Sequence, residues 1–153
     1  MRGAMARGWL WSVPFVALGA GVGMAPAVQA EVPAAIQAAL GEEMAACRDA
    51  GGTPTPVDGY LMAVGDLDGD GGADFVTDLA ALQCANAWSY FCGSAGCPVT
   101  VWLSGAGGHS PAWRGYAQTW ELRDGQVVLH LHGQMCNPPR PGVEGCEVAL
   151  HLR

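Results

Sequence analysis

Trp120-Glu121-Leu122-Arg123-Asp124-Gly125-Gln126-Val127-Val128-Leu129 reads as two strands joined by the two-residue turn Asp124-Gly125. An Asp-Gly pair tolerates the positive φ angles of the tight turns whose twist matches that of flanking strands. Working outward from this hairpin, the chain beyond Tyr60 is a series of short, often alternating apolar runs separated by turn residues. That pattern predicts strands near 60–65, 74–79, 98–104, 115–123, 126–132 and 146–152. Before them, Glu31 to Arg48 carries Ile36, Leu40, Met44 and Cys47 at spacings of four, four and three among alanines, which predicts an amphipathic helix over 31–50. Gly51-Gly52-Thr53-Pro54-Thr55-Pro56 should stop that helix and leave an irregular linker over 51–58. The expected fold is therefore α+β, an N-terminal helix packed on a mainly antiparallel β-sheet, with a β-rich body over 59–153.

A chain of 153 residues, half of them hydrophobic, has room for one domain and not for a large multidomain enzyme. Seven basic against fourteen acidic residues give a formal charge of −7, which argues against a grip on nucleic acid or an anionic membrane surface. Arg2 and Arg7 lead into an uncharged, apolar stretch from Gly8 to Val28-Gln29-Ala30, the pattern of an export signal with a small-residue cleavage site. A retained membrane anchor is the rival reading of residues 1–30, weakened by Pro14, Pro26 and the glycines at 19, 21 and 23. Cleavage after Ala30 would remove both arginines and leave a body at 31–153 with a charge of −9. The expected location is the periplasm or the exterior, with no membrane insertion after cleavage.

All six cysteines, Cys47, Cys84, Cys92, Cys97, Cys136 and Cys146, lie in that body, and none forms a C-x-x-C pair. In an oxidising compartment an even count reads first as disulfides. Cys92-Gly-Ser-Ala-Gly-Cys97 and the proline-rich stretch from Cys136 to Cys146 each favour chain reversal and deliver the chain into a strand. Local closure of Cys92–Cys97 and Cys136–Cys146 then leaves Cys47–Cys84. Fourteen other pairings of six cysteines exist, and those joining Cys84 to Cys92 or Cys97 are the main competitors.

The strongest chemical motif is Asp66-Leu67-Asp68-Gly69-Asp70-Gly71-Gly72-Ala73-Asp74, with carboxylates at positions one, three, five and nine and glycine at six. Calcium takes about 6–8 hard oxygen ligands, and a tight loop can present them on alternate side chains plus a backbone carbonyl, here that of Gly72. Gly71 would permit the left-handed turn that brings Asp74 back toward a Ca2+ ion. The competing reading is a solvated Asp/Gly turn between two strands. An ordinary EF-hand fits poorly, because Thr77 stands where the bidentate glutamate would be, Asp78 comes one residue late, and the flanks look like strands. Whether Asp78 joins a metal is open at this level.

The stretch resembles the Asp-x-Asp-Gly-Asp-Gly calcium loops of dockerin modules and of integrin-like propeller repeats. Taken with Cys84, Tyr90-Phe91-Cys92-Gly93-Ser94-Ala95-Gly96-Cys97, and Leu131-His132-Gly133 ahead of Cys136, the chain is similar to a group of small uncharacterised periplasmic proteins of Gram-negative bacteria. The resemblance spans about Gly59 to Leu152. It implies an exported, disulfide-bonded domain with an Asp-rich loop, and no activity.

His130 and His132 are two apart in an expected strand and so share a face, and His151 could reach that face from a neighbouring strand. Three converging imidazoles would suit zinc in a hydrolase. With Val127, Leu129 and Leu131 on the opposite, core face, a solvated histidine pair is the plainer reading, and His109 falls in a Gly-rich loop expected to be mobile. Trp102 alternates with Val99, Val101 and Leu103, which places it across the sheet, beneath the helix or exposed. An exposed cluster of two or more of Trp102, Trp113 and Trp120 would favour glycan or protein recognition. No Gly-x-Ser-x-Gly elbow surrounds Ser104 or Ser110, and no residue is assigned a catalytic role. The sequence thus points to a calcium-stabilised structural or binding module for an unidentified protein or glycan, with glycan or protein recognition through exposed tryptophans and zinc hydrolysis as alternatives.

Overall fold

A computed structural model describes residues 31–152; the expected export signal at 1–30 lies outside the described residues. Helix α1 (Ala34–Asp49) is followed by β1 (Thr53–Pro56), β2 (Leu61–Gly65), β3 (Asp74–Asp78), a short 3-10 turn at Leu79–Ala81, and β4 (Leu82–Ala85). Then come β5 (Cys97–Leu103), β6 (Ser110–Ala117), β7 (Thr119–Arg123), β8 (Gln126–Leu131) and β9 (Cys146–Ala149). Every strand pairing is antiparallel, and the fold is α+β with three disulfides. None of the described helices is long and apolar enough to cross a membrane.

The strands form three sheets instead of one: β1-β4, β2-β3-β5-β6 and β7-β8-β9. The stretch expected as one strand over 115–123 is two. Ala117 pairs with Cys97 in the four-stranded sheet, while Thr119 pairs with His130 in the three-stranded one. Gln118 sits at the corner, its N–H donating to the His130 carbonyl at 2.8 Å. A chain that changes sheets at a corner lets two sheets enclose one core. That core is Val64, Val76, Val99, Val101, Ala117, Val127, Leu129 and Leu131, with Trp113 and Trp120 packed at its margin.

The 51–58 linker is also corrected, since Thr53–Pro56 is a strand. Its prolines alternate, so both missing N–H groups fall on the side away from β4, and the N–H of Val57 on the near side donates to the Ala81 carbonyl at 2.9 Å. The first half of β6 was expected as loop; Pro111 is accommodated there because the β5-β6 register shifts between Val101 and Trp102. The Asp124-Gly125 turn joins the paired Arg123 and Gln126, with φ of +52° and +75°, the signature of a type I′ hairpin turn.

Helix α1 covers the far face of the four-stranded sheet. Ile36 packs with Phe75 and Trp102, and Cys47 lies with Tyr60, Leu79, Leu82 and Phe91. Trp102 is therefore beneath the helix and buried, with its indole N–H donating to Thr77 Oγ1 at 3.0 Å. Burial, reinforced by the nearby Glu43 carboxylate and opposed by Arg114, pushes the Tyr60 phenol up to about 12. A Tyr raised in the folded state stabilises fully below its unfolded pKa of 10.0 and loses that contribution as pH rises through the folded value. Stability is thus expected to fall between pH 10 and 12, by up to roughly 2–3 kcal/mol. Tyr60→Phe should flatten that limb of a pH-melting profile.

Candidate metal loop and the histidine face

The loop between β2 and β3 is shaped by its own aspartates. Asp66 accepts from the N–H groups of Gly69 at 2.7 Å and Gly71 at 3.0 Å, and Asp68 accepts from Asp70 N at 3.1 Å. Asp70 Oδ1 takes the Gly72 N–H at 2.7 Å and the Ser104 hydroxyl at 2.9 Å. The Gly71 and Gly69 N–H groups, Gly71 foremost, hold the Asp66 carboxyl below the usual carboxylate range. Gly71 adopts φ +87°, the left-handed turn the loop needs. At Gly72 a Cβ would lie 2.0 Å from Ser104 Oγ, so no side chain fits there while the loop rests on β5.

Asp74, the first residue of β3, is fully buried. Oδ2 accepts from Leu67 N at 2.6 Å and Oδ1 from Ser104 N at 2.8 Å, so one carboxylate ties the loop to the end of β5. Each oxygen keeps a second lone pair free. One oxygen each from Asp66, Asp68 and Asp74 lie within 4.8 Å of one another. That spacing suits ligands around one Ca2+, whose bonds are about 2.3–2.6 Å long. The donor set, three hard carboxylate oxygens, fits calcium. Asp70 lies outside this trio, turned to Ser104, and Asp78 is elsewhere: its carboxylate caps the 3-10 turn through Ala80 N and accepts the Trp120 indole N–H at 3.1 Å.

Sequence reasoning considered Ser104 only as a nucleophile and missed that its backbone and hydroxyl brace the loop; no local signal marks it. His109, expected in a mobile loop, is anchored, with Nε2 2.8 Å from the Ala73 carbonyl oxygen and its ring edge-on to Phe75.

The three histidines proposed for zinc do not converge, since the aspartate trio is the one group of potential metal ligands so placed among the described residues. The β8-β9 register explains it. His130 pairs with Glu147, so His151 falls level with Gln126, four residues away along β8 or roughly 13 Å. His151 Nδ1 there lies 3.1 Å from Gln126 Nε2. His132 is beyond the strand, capping the turn Gly133–Met135. His130 sits between Glu121 and Glu147 at 3.6 and 3.7 Å, beside Arg123, which pairs with both carboxylates. Arg123 holds Glu147 below its ordinary pKa. This is a half-exposed ionic face around His130 alone, since His132, expected beside it on one strand face, lies past the strand end. The tryptophan cluster also fails to form: Trp102 is buried, Trp113 and Trp120 are half-buried against the core, and the most exposed tryptophan among the described residues is Trp88.

The three bridges are Cys47–Cys84, Cys92–Cys97 and Cys136–Cys146, with Cα separations of 5.9, 4.3 and 6.0 Å. No free cysteine remains among the described residues. Comparison with family models, with curated proteins and with solved structures finds no match for this chain.

Proposed function

We propose that the protein is an exported binding module held together by disulfides and by one calcium ion at the Asp66–Asp74 loop. The observation that carries the reading is the convergence of Asp66, Asp68 and Asp74 oxygens around the buried Asp74 anchor. The resemblance of the loop to Asp-x-Asp-Gly-Asp-Gly calcium loops supports it. Three disulfides are compatible with a periplasmic or extracellular setting, and the Arg2–Ala30 pattern supports export with cleavage after Ala30. Asp66, Asp68 and Asp74 would hold the ion, with Asp70 and the Gly72 carbonyl as further oxygens of the same loop. Calcium would stabilise and not switch, because the loop joins adjacent strands of one sheet.

Without a glutamate at position twelve, the affinity should fall near the 10⁻⁴–10⁻³ M of extracellular modules. At 10 mM calcium, mass action then stabilises the fold by about 1.4–2.7 kcal/mol. Melting the mature protein in calcium and in chelator should show that difference, and Asp68→Ala should abolish it while leaving the chelator melt nearly unchanged. Equal melting temperatures in both buffers would reduce the loop to a turn. Intact mass of the exported protein reports the cleavage: a chain still beginning at Met1 would overturn the export reading.

A further inference from the structure

The two main sheets enclose the core but do not close on each other along one side. In the order β2-β3-β5-β6 the strand β2 is an edge, and in β7-β8-β9 so is β7. A cleft of about 490 Å³ lies between these two edges, lined by Met62 to Val64 on one side and Thr119 to Leu122 on the other.

Both edges line it and carry unpaired backbone on the side away from their paired neighbours. The Tyr60 carbonyl accepts from Asp78 N at 2.9 Å, so Tyr60 and Met62 direct their backbone groups at β3, while Leu61 and Ala63 direct theirs outward. In a hairpin with a two-residue turn the closing pair, Arg123 and Gln126, bonds to each other, so Trp120 and Leu122 direct theirs away from β8. Among the described residues, no loop backbone bonds to these four.

The side chains point the same way. Met62 shares the core-facing side of β2 with Val64, and Leu122 that of β7 with Trp120, yet Met62 and Leu122 are 44% and 48% exposed. They are core-facing positions that the described residues leave about half uncovered. At the rim stand carboxylates alone: Asp58 and Glu121 line the cleft, as does Asp78, and no basic residue does. Asp58 has no ion pair or hydrogen bond among the described residues, unlike Glu121, which Arg123 engages.

We propose that this cleft takes an extended peptide segment of a partner protein, added as a strand between β2 and β7, with apolar side chains against Met62 and Leu122 and basic side chains toward Asp58 and Glu121. Strand addition satisfies both free edges at once and joins seven strands into an eight-stranded surface around the core. The alternation follows from strand geometry, successive side chains facing opposite ways, one set inward to the apolar floor and the other to the acidic rim. The basic character follows from charge complementarity with Asp58, whose carboxylate no cation engages among the described residues. The proposal gives the module reading its partner class, and rests on that reading but not on the calcium loop.

The test titrates an eight-residue peptide of alternating valine and lysine, with blocked ends, into the ¹⁵N-labelled mature protein in calcium buffer. Saturable binding is expected, with amide exchange slowed at Leu61, Ala63, Trp120 and Leu122. N-methylation of alternate peptide amides should weaken it by about tenfold or more, and replacing lysine by glutamate should abolish it. Asp58→Asn, an exposed position that the fold does not use, should weaken it about two- to fivefold. No saturable binding, binding indifferent to N-methylation, or equal binding of the glutamate peptide would overturn the proposal. Since calcium is judged separately by the chelator melt, a silent cleft with a calcium-sensitive melt would reject the peptide site alone.

Discussion

Replacing Cys47 and Cys84 together by serine is expected to lower stability by about 4 kcal/mol, the chain-entropy value for a loop of this size. The bridge spans 37 residues, against 5 for Cys92–Cys97 and 10 for Cys136–Cys146. By the same relation the shortest bridge is worth about 2 kcal/mol, so its double serine variant should be clearly the milder one. Both sulfurs of the long bridge are buried with Tyr60, Leu79 and Leu82, where the end of α1 meets β4. Losing it should therefore also free the helix from the sheet. In a domain of this size 4 kcal/mol corresponds to a drop in Tm of roughly 15 °C, readable by calorimetry of the two variants side by side. Equal losses would mean that loop length does not set the contribution.

Asp74→Ala is expected to cost roughly 3 kcal/mol or more, whether or not calcium is present. The variant removes the only acceptor that the Leu67 and Ser104 N–H groups have at this part-buried junction, and each unsatisfied donor costs about 1–3 kcal/mol. The loss should persist in chelator, which separates it from Asp68→Ala, whose effect should vanish there. Hydrogen exchange at Leu67 and Ser104 should accelerate in step. A variant that melts like the parent in chelator would show that the anchor contributes only through an ion.

The elements that local pattern could fix are those whose signals lie within a few residues. The Asp124-Gly125 turn carries its own backbone preference, and the spacing of Ile36, Leu40, Met44 and Cys47 defines one buried stripe, so the hairpin and the helix were legible. The short cysteine loops close locally for the same reason. What escaped depends on distant partners. Thr53–Pro56 contains two prolines and reads as linker until β4 offers a neighbour on the one side where N–H groups remain. Nothing near Gln118 announces that the chain leaves one sheet for another, because Ala117 and Thr119 acquire different partners only in the assembled fold. The distance of His151 from His130 is a matter of register, invisible without the β8-β9 pairing. The aspartates of the loop were legible as a group, but Ser104, thirty residues downstream of Asp74, could enter the site only through tertiary contact.

Each bridge joins a cysteine to the next one along the chain, the first to the second, the third to the fourth, the fifth to the sixth. A polypeptide oxidised from its N-terminus as it crosses a membrane would meet every native partner before a later thiol could compete, with no bridge to be broken and reshuffled. The first two bridges can thus be laid down in the order of emergence, ahead of the corner at Gln118, which has to wait for β8, and the third follows that strand.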